Sequence, residues 1–290
     1  MGQLLITGAT GNVGRYVLRH LYAAAEGNTI IAAVRNPDST DEVLAPYPNL
    51  ARRRFDFNDP GTYAAAFAGI DRLFLLRPPA ISDVRAVFAP LLTAARESGL
   101  HQIVFLSVQG VEQSAVIPHH KIENLIQEFG FAYIFVRPSY FMQNLTTTLL
   151  DEIRRDQTIT LPAGTAKFNW VDTENIGAAC ARLLLNFPAH RNEAIEITGP
   201  ENLNFGQAAH LLTEVTGRDV RYRSVNPFRF FLRKWRAGTP AGFALVMTLL
   251  HFLPRLQAEP HVSDSYQKLT GERPTSLGEF IVREHGRGVL

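Results

Sequence analysis

The sequence predicts an α/β fold: a doubly wound, mostly parallel sheet with a small, largely helical C-terminal cap. Three observations carry this. Strand-like and helix-like stretches alternate through residues 1–200, the strand candidates 103–106 and 133–136 are continuously apolar, and the opening strand runs directly into a glycine turn and a helix. Alternation demands parallel strands joined by helical crossovers, and strands covered on both faces read as unbroken apolar runs.

Residues 3–7 form the first strand, followed without a gap by Gly8-Ala9-Thr10-Gly11-Asn12-Val13-Gly14 and by a helical pattern from Arg15 with Tyr16, Val17 and Leu21 on its apolar face. Further strands are expected at 29–34, 51–55, 71–76, 102–107, 132–136 and 193–198. Helices are expected at 60–67, where Asp59 caps and Pro60 opens the first turn, at 82–98, closed by Gly99, and at 119–129, closed by Gly130. A further helix spans 174–185. Beyond Pro200 the rhythm changes to a helix over 203–216 stopped by Gly217, a short strand at 220–224, and apolar helices over 227–256 interrupted by Gly238, Thr239 and Pro240. Ser276-Leu277-Gly278-Glu279 is a capping box for a last short helix. The expected division is a sheet domain at 1–200 and a cap at 201–290, with segments around 140–170 free to join the cap.

A strand, a glycine turn and a helix in that order make a phosphate-binding site. Gly8 permits the sharp exit, Gly11 lets a diphosphate approach the backbone, and Gly14 allows close packing, so Gly8, Thr10, Gly11, Asn12, Val13 and Gly14 are the expected cradle of a Rossmann domain that binds NAD(P). The second strand ends Val34-Arg35-Asn36 with no carboxylate at the position that would bind ribose hydroxyls; the nearest acid is Asp38. An arginine there suits a 2′-phosphate, so NADP(H) is the expected cofactor and NAD(H) the weaker alternative. Asp56-Phe57 after the third strand reads either as an adenine contact or as a capping carboxylate beside a core ring.

Composition narrows the function classes. With 46% hydrophobic residues the chain has enough apolar content for a sizeable core, and 29 basic against 27 acidic residues, net +2, give no reason to expect nucleic acid. The runs Arg52-Arg53-Arg54 and Arg221 to Arg236 read as solvated faces. A single cysteine, Cys180, excludes a disulfide framework and suits a reducing compartment; it lies among alanines and leucines and reads as core. The strand at residue 3 leaves no room for a secretory signal, so the expected location is cytoplasmic. The longest apolar run, 242–253, is too short to span a bilayer, and no stable membrane insertion is expected. No metal site is expected, since the adjacent His119 and His120 are poorly placed to chelate one ion.

Ser107 ends the fifth strand, and Lys121 opens the helix after it, yet the position four residues before Lys121 is Ile117, which transfers no proton. A Tyr-x-x-x-Lys pair is therefore absent. With the glycine turn spaced GxxGxxG, Ser107-Val108-Gln109-Gly110, Pro118-His119-His120-Lys121-Ile122-Glu123, Val136-Arg137-Pro138-Ser139-Tyr140-Phe141-Met142-Gln143-Asn144, Thr198-Gly199-Pro200 and Gly271-Glu272-Arg273-Pro274, the chain resembles the NmrA-like atypical short-chain dehydrogenases over nearly its whole length.

That resemblance implies a Rossmann fold and one of two functions: reductases of quinones, azo dyes, triphenylmethane dyes or ethers, or redox sensors that bind dinucleotide without turnover. It extends the expected cofactor contacts to Leu76, Arg77, Pro78, Ser107, Lys121 and Pro138. Lys121 would hold the nicotinamide ribose and stabilise negative charge on a reduced acceptor, against the alternative of a solvated lysine. One of His119 and His120 would face the cleft and protonate an acceptor oxygen, against a solvated histidine at a helix start. Tyr140, Phe141, Met142 and Asn144 after the sixth strand, with Trp170, would wall a pocket for a flat acceptor such as a quinone; core packing is the alternative for Phe141, Met142 and Trp170. The apolar stretch 228–252 would be a lid or dimer face, or, through its basic start, a weak membrane or partner contact. The expected protein is a monomer or homodimer that reduces a small-molecule acceptor; the rival is a non-catalytic dinucleotide sensor.

Overall fold

The computed structural model describes residues 2–24, 27–39, 41–81, 83–113 and 117–290. The chain runs β1 (Gln3–Ile6), α1 (Gly14–Ala24), β2 (Thr29–Val34), β3 (Ala51–Arg54), α2 (Tyr63–Phe67), β4 (Arg72–Leu75), α3 (Val84–Glu97), β5 (Gln102–Leu106), α4 (Pro118–Glu128) and β6 (Ala132–Pro138). It continues through β7 (Tyr140–Phe141), α5 (Leu150–Asp156), β8 (Thr158–Leu161), β9 (Lys167–Val171), α6 (Thr173–Leu185) and β10 (Glu193–Ile197). The remainder is β11 (Asn202–Asn204), α7 (Phe205–Thr216), β12 (Arg221–Ser224), α8 (Pro227–Arg236), α9 (Ala241–Phe252), α10 (Ser265–Thr270) and α11 (Leu277–Gly286).

Two compact units result. The first comprises Met1–Pro138, Thr173–Ile197 and Ser265–Glu272; the second comprises Ser139–Asp172, Thr198–Asp264 and Arg273–Leu290.

In the first unit the seven strands expected from the sequence join one sheet in the order β10-β6-β5-β4-β1-β2-β3, with every pair parallel. The chain leaves β1 outward in one direction to β2 and returns to β4 on its other side, which makes the gap beyond their carboxyl ends a topological switch point, where open α/β sheets bind ligands. Leu5, Ile31, Leu73, Ile103 and Phe105 pack against Phe67, Phe88, Leu91 and Ile122 of α2, α3 and α4. Each fully buried side chain of this size contributes roughly 1.5–3 kcal/mol. Cys180 is fully buried in α6, and burial holds its thiol proton on. The expected solvated run on β3 is partly a set of helix and loop caps: Arg53 donates to the Ala66 and Ala68 carbonyls at 2.9 and 2.6 Å, and Arg52 to the Ser39 carbonyl at 2.8 Å. The expected start of the next helix at Ser82 lies outside the described residues, and α3 is capped by Asp83, which accepts from the Ala86 amide at 3.1 Å.

In the second unit the part beyond Pro200 is largely helical, as expected, and its two short strands find partners earlier in the chain. β11 pairs with β9, β9 with β7, and β12 with β8, because the partners sit in 139–172, a stretch whose strands have no strong periodic signal. The helix expected from residue 203 begins at Phe205 instead: Asn204 accepts from the Gln207 amide while the Gln207 side chain accepts from the Asn204 amide, both at 2.9 Å, and this capping box ends the strand and starts the helix. Trp170, Phe205, Met142, Leu161, Leu212 and Phe280 form the core.

Candidate functional site

The switch point of the first unit is built around Thr7. Its hydroxyl donates to the Phe74 carbonyl at 2.8 Å and accepts from the Leu76 amide at 3.2 Å, which ties the ends of β1 and β4 together. Leu76 is thereby set against Gly8, where φ is +59° and a β-carbon would lie 2.5 Å from the leucine Cδ2. The Gly11 amide donates to the Gly8 carbonyl at 2.8 Å, and a β-carbon on Gly14 would meet that same carbonyl oxygen at 2.1 Å. The turn is thus wound too tightly for side chains at either end. Gly11 and Asn12 are exposed, and the Asn12 and Val13 amides donate to no backbone carbonyl among the described residues. Such amides at the start of an 11-residue helix form an anion site, so the cradle fits a dinucleotide diphosphate.

Beyond β2, Arg35 is exposed and holds no ion pair or hydrogen bond among the described residues. The neighbouring Asn36 is used locally, accepting from the Asp38 amide at 3.1 Å. Asp56 likewise accepts from the Asn58 amide at 2.9 Å, and Phe57 packs on Phe55 with ring centroids 4.8 Å apart. After β4, Arg77 folds back on its own loop, donating to the Ile81 and Pro79 carbonyls at 3.0 and 3.1 Å; this fixes the Pro78-Pro79 turn.

At the start of α4, Ile117 is the N-cap and Pro118 the first helical residue. Lys121 is exposed, with no partner among the described residues. The two histidines diverge. His119 lies 6.1 Å from the Phe105 ring, and burial followed by the nearby Arg77 guanidinium pushes its pKa down to about 4. His120 places Nδ1 3.2 Å from the Val111 carbonyl, which keeps the proton of the neutral ring on that nitrogen.

Ser107 is buried, and its hydroxyl donates to Glu123 Oε1 at 2.6 Å. Glu123 also takes two bonds from Arg137, at 3.1 and 2.8 Å, and Arg137 reaches Glu112 at 3.0 Å. Ser107 is therefore tied inward to a buried ion pair. Sequence reading assigned Glu123 and Arg137 no role. The signal was available: Glu123 shares the buried face of α4 with Ile122 and Ile126, and an acid there requires a cation.

In the second unit the expected pocket wall divides. Met142 and Trp170 are fully buried, and Trp170 donates through Nε1 to the Leu203 carbonyl at 2.9 Å, so both pack the core and present no surface to a ligand. Tyr140, Phe141 and Asn144 keep partial exposure. Tyr140 stands edge-on to Trp170 at 5.0 Å, and its hydroxyl lies 2.9 Å from Nε2 of His251. His251 donates through Nδ1 to the Met247 carbonyl at 2.7 Å, so Nε2 accepts from the phenol; burial pushes this histidine down to about 4 and the phenol well above the usual tyrosine range. His251 was missed because its partner lies 111 residues away in the chain.

The family model for the NmrA-like family matches residues 2–281. The chain belongs to the NmrA-like family. An NAD(P)H azoreductase of Xenophilus azovorans is 30% identical over 96% of each chain, and the prestalk A differentiation protein A of Dictyostelium discoideum is 28% identical over 96% of this chain and 90% of that one. Among solved structures, the Citrobacter sp. triphenylmethane reductase complexed with NADP(H) superposes with a TM-score of 0.82 and 26% identity, covering 97% of this chain and 99% of that one.

Within this NmrA-like chain the glycine turn, Arg35, the Leu76–Pro78 turn, Ser107, Lys121 and Pro138 all belong to the first unit, and all but Pro138 follow or open elements at the carboxyl ends of the strands. No tyrosine stands four residues before Lys121. A shallow open groove in the second unit, lined by Glu201, Leu203, Gln207, His210 and Ser276, contains none of the residues expected to touch a ligand.

Proposed function

We propose that this protein is an NAD(P)H-dependent oxidoreductase that prefers NADP(H) and passes hydride to a small planar acceptor such as a quinone. The observation that carries this reading is the Gly8–Gly14 turn, wound so closely that only glycine fits at its ends while the Asn12 and Val13 amides donate to no backbone carbonyl among the described residues. When bound, the dinucleotide supplies the hydride. The chain binds and orients: α1 receives the diphosphate, Arg35 the 2′-phosphate, and the fixed Leu76–Pro78 turn borders the nicotinamide ribose. Lys121 places an ammonium where negative charge develops on the reduced acceptor. His119, neutral at pH 7, has no proton of low enough pKa to give, so protonation of the acceptor falls to water or to His120, whose Nε2 gives a proton only from the imidazolium form. The azo and triphenylmethane reductases named among the relatives support a flat aromatic acceptor class.

A second reading, a non-catalytic dinucleotide sensor, is favoured by Ile117 at the position of a proton-transferring tyrosine and by the inward engagement of Ser107 with Glu123. A relative named for differentiation rather than for a reaction supports it too. NADPH oxidation measured over quinones, azo dyes, triphenylmethane dyes and aldehydes separates the two. Turnover of a flat acceptor is expected; tight NADPH binding with no turnover across the panel leaves the sensor, and no binding removes both.

A further inference from the structure

The helix α9 has an inward face of Ala244, Met247, Thr248 and His251, spaced as one stripe of a helix, all buried. Its outward face should then be polar. Instead Phe243, Leu245, Val246, Leu249 and Leu250 are exposed there, and residues 241–252 contain no acidic residue, lysine or arginine. Leu253 and Leu256 are exposed as well, and on α8, which packs against α9, Phe228 and Trp235 are 67% and 54% exposed. Isolated exposed apolar side chains are ordinary, but nine in one short segment mark a surface built to meet something.

Charge identifies the occupant. Between Asp219 and Glu259 the chain has seven arginines and lysines and no acid, although the whole chain is nearly balanced. Arg223, Arg229, Arg236 and Arg255 are exposed and carry no ion pair among the described residues. The others are partly engaged: Arg221 pairs with Asp219, Arg233 lies 3.6 Å from Glu152, and Lys234 lies over the Phe230 ring at 5.7 Å. Two copies meeting through this face would bring like charges together. An apolar stripe with tryptophan and phenylalanine, flanked by unpaired arginines, instead matches a lipid interface of negative charge. No helix among the described residues is long and apolar enough to cross a membrane, so the contact would lie in the interface plane.

We propose that the exposed face of α8 and α9 seats this protein on an anionic lipid surface. The apolar residues enter the headgroup boundary, and Arg229, Arg236 and Arg255 meet lipid phosphates and carboxylates.

The test uses the full chain with vesicles of phosphatidylcholine alone and with about one third phosphatidylserine. The protein should sediment with the anionic vesicles and not with the neutral ones, and high salt should weaken the interaction. Trp170 is fully buried and Trp235 exposed, so a blue shift of fluorescence on binding should vanish in Trp235→Phe. Arg229→Gln with Arg236→Gln should lower partitioning about 25-fold, at roughly fivefold per charge. Val246→Ser with Leu250→Ser should abolish the interaction; all four positions are exposed, and circular dichroism confirms the fold. Equal binding to neutral vesicles overturns the proposal. So does absence of binding, including the case in which sedimentation velocity reveals a dimer that Val246→Ser with Leu250→Ser disperses, for then a second copy covers the face.

Discussion

The Gly8 carbonyl oxygen occupies the space a side chain on Gly14 would need: a β-carbon there would lie 2.1 Å from it, while one on Gly11 would lie 3.1 Å from the same atom and meet nothing else within 4 Å. The two glycines should therefore fail differently. Gly14→Ala forces the backbone of the turn apart and should cost about 1–3 kcal/mol of stability as well as dinucleotide binding. Gly11→Ala should cost less than about 1 kcal/mol yet weaken NADPH at least about tenfold, because its methyl group stands on the exposed turn a diphosphate must approach. Thermal melts paired with NADPH titrations of both variants check this; equal loss of stability would contradict it.

Arg35 projects unpaired from the end of β2. Replacing it with alanine should weaken NADPH about 10- to 100-fold, the worth of charge-assisted bonds to a phosphate, and change NADH less than about twofold. Affinity for both cofactors, measured on wild type and variant, decides it. An unchanged ratio removes Arg35 from phosphate recognition.

The first unit was readable in the sequence because its rules are local. Continuous apolar strands, caps such as Asp59, and stops such as Gly99 and Gly130 each announce an element within a few residues, and the seven strands they announce form one sheet. The second unit was less readable. β8 pairs with β12, 63 residues onward, and β9 with β11, 33–37 residues onward, and with β7, 30 residues back, and no periodicity encodes such partners. The site divides in the same way. The glycine turn is a contiguous motif; the Ser107–Glu123–Arg137 network and the Tyr140–His251 pair join positions on separate elements. Met142 and Trp170 show the limit of reading chemistry from residue type, since an aromatic or thioether after a strand fills a core as readily as it lines a pocket.

Removing the Glu123 charge isolates Arg137 in a largely buried position, with the more exposed Glu112 its remaining partner in that network. Glu123→Gln should destabilise the protein by about 3 kcal/mol, whereas Ser107→Ala, which costs one hydrogen bond, should destabilise it by about 1 kcal/mol. Urea unfolding of the two variants provides the comparison. Equal effects would mean that the ion pair adds nothing beyond the hydroxyl bond.

His251 is buried, neutral and held near pKa 4, against the ordinary histidine value of 6.5. The unfolded chain then binds a proton that the folded one refuses between those values. Stability from this group is complete above pH 6.5 and declines as the pH falls toward 4, by up to about 3 kcal/mol. His119, depressed to the same range, adds a decline of the same sign. Unfolding free energies at pH 7.5 and at about pH 5 should differ less in His251→Gln than in wild type. An identical pH dependence would show that His251 binds its proton alike in the folded and the unfolded chain.

The most direct test of the account is calorimetric titration of the wild-type protein with NADPH and with NADH. One saturable site per chain is expected, taking NADPH more tightly than NADH and lost in Gly14→Ala. Absence of binding heat with both nucleotides, or undiminished binding by that variant, would contradict it.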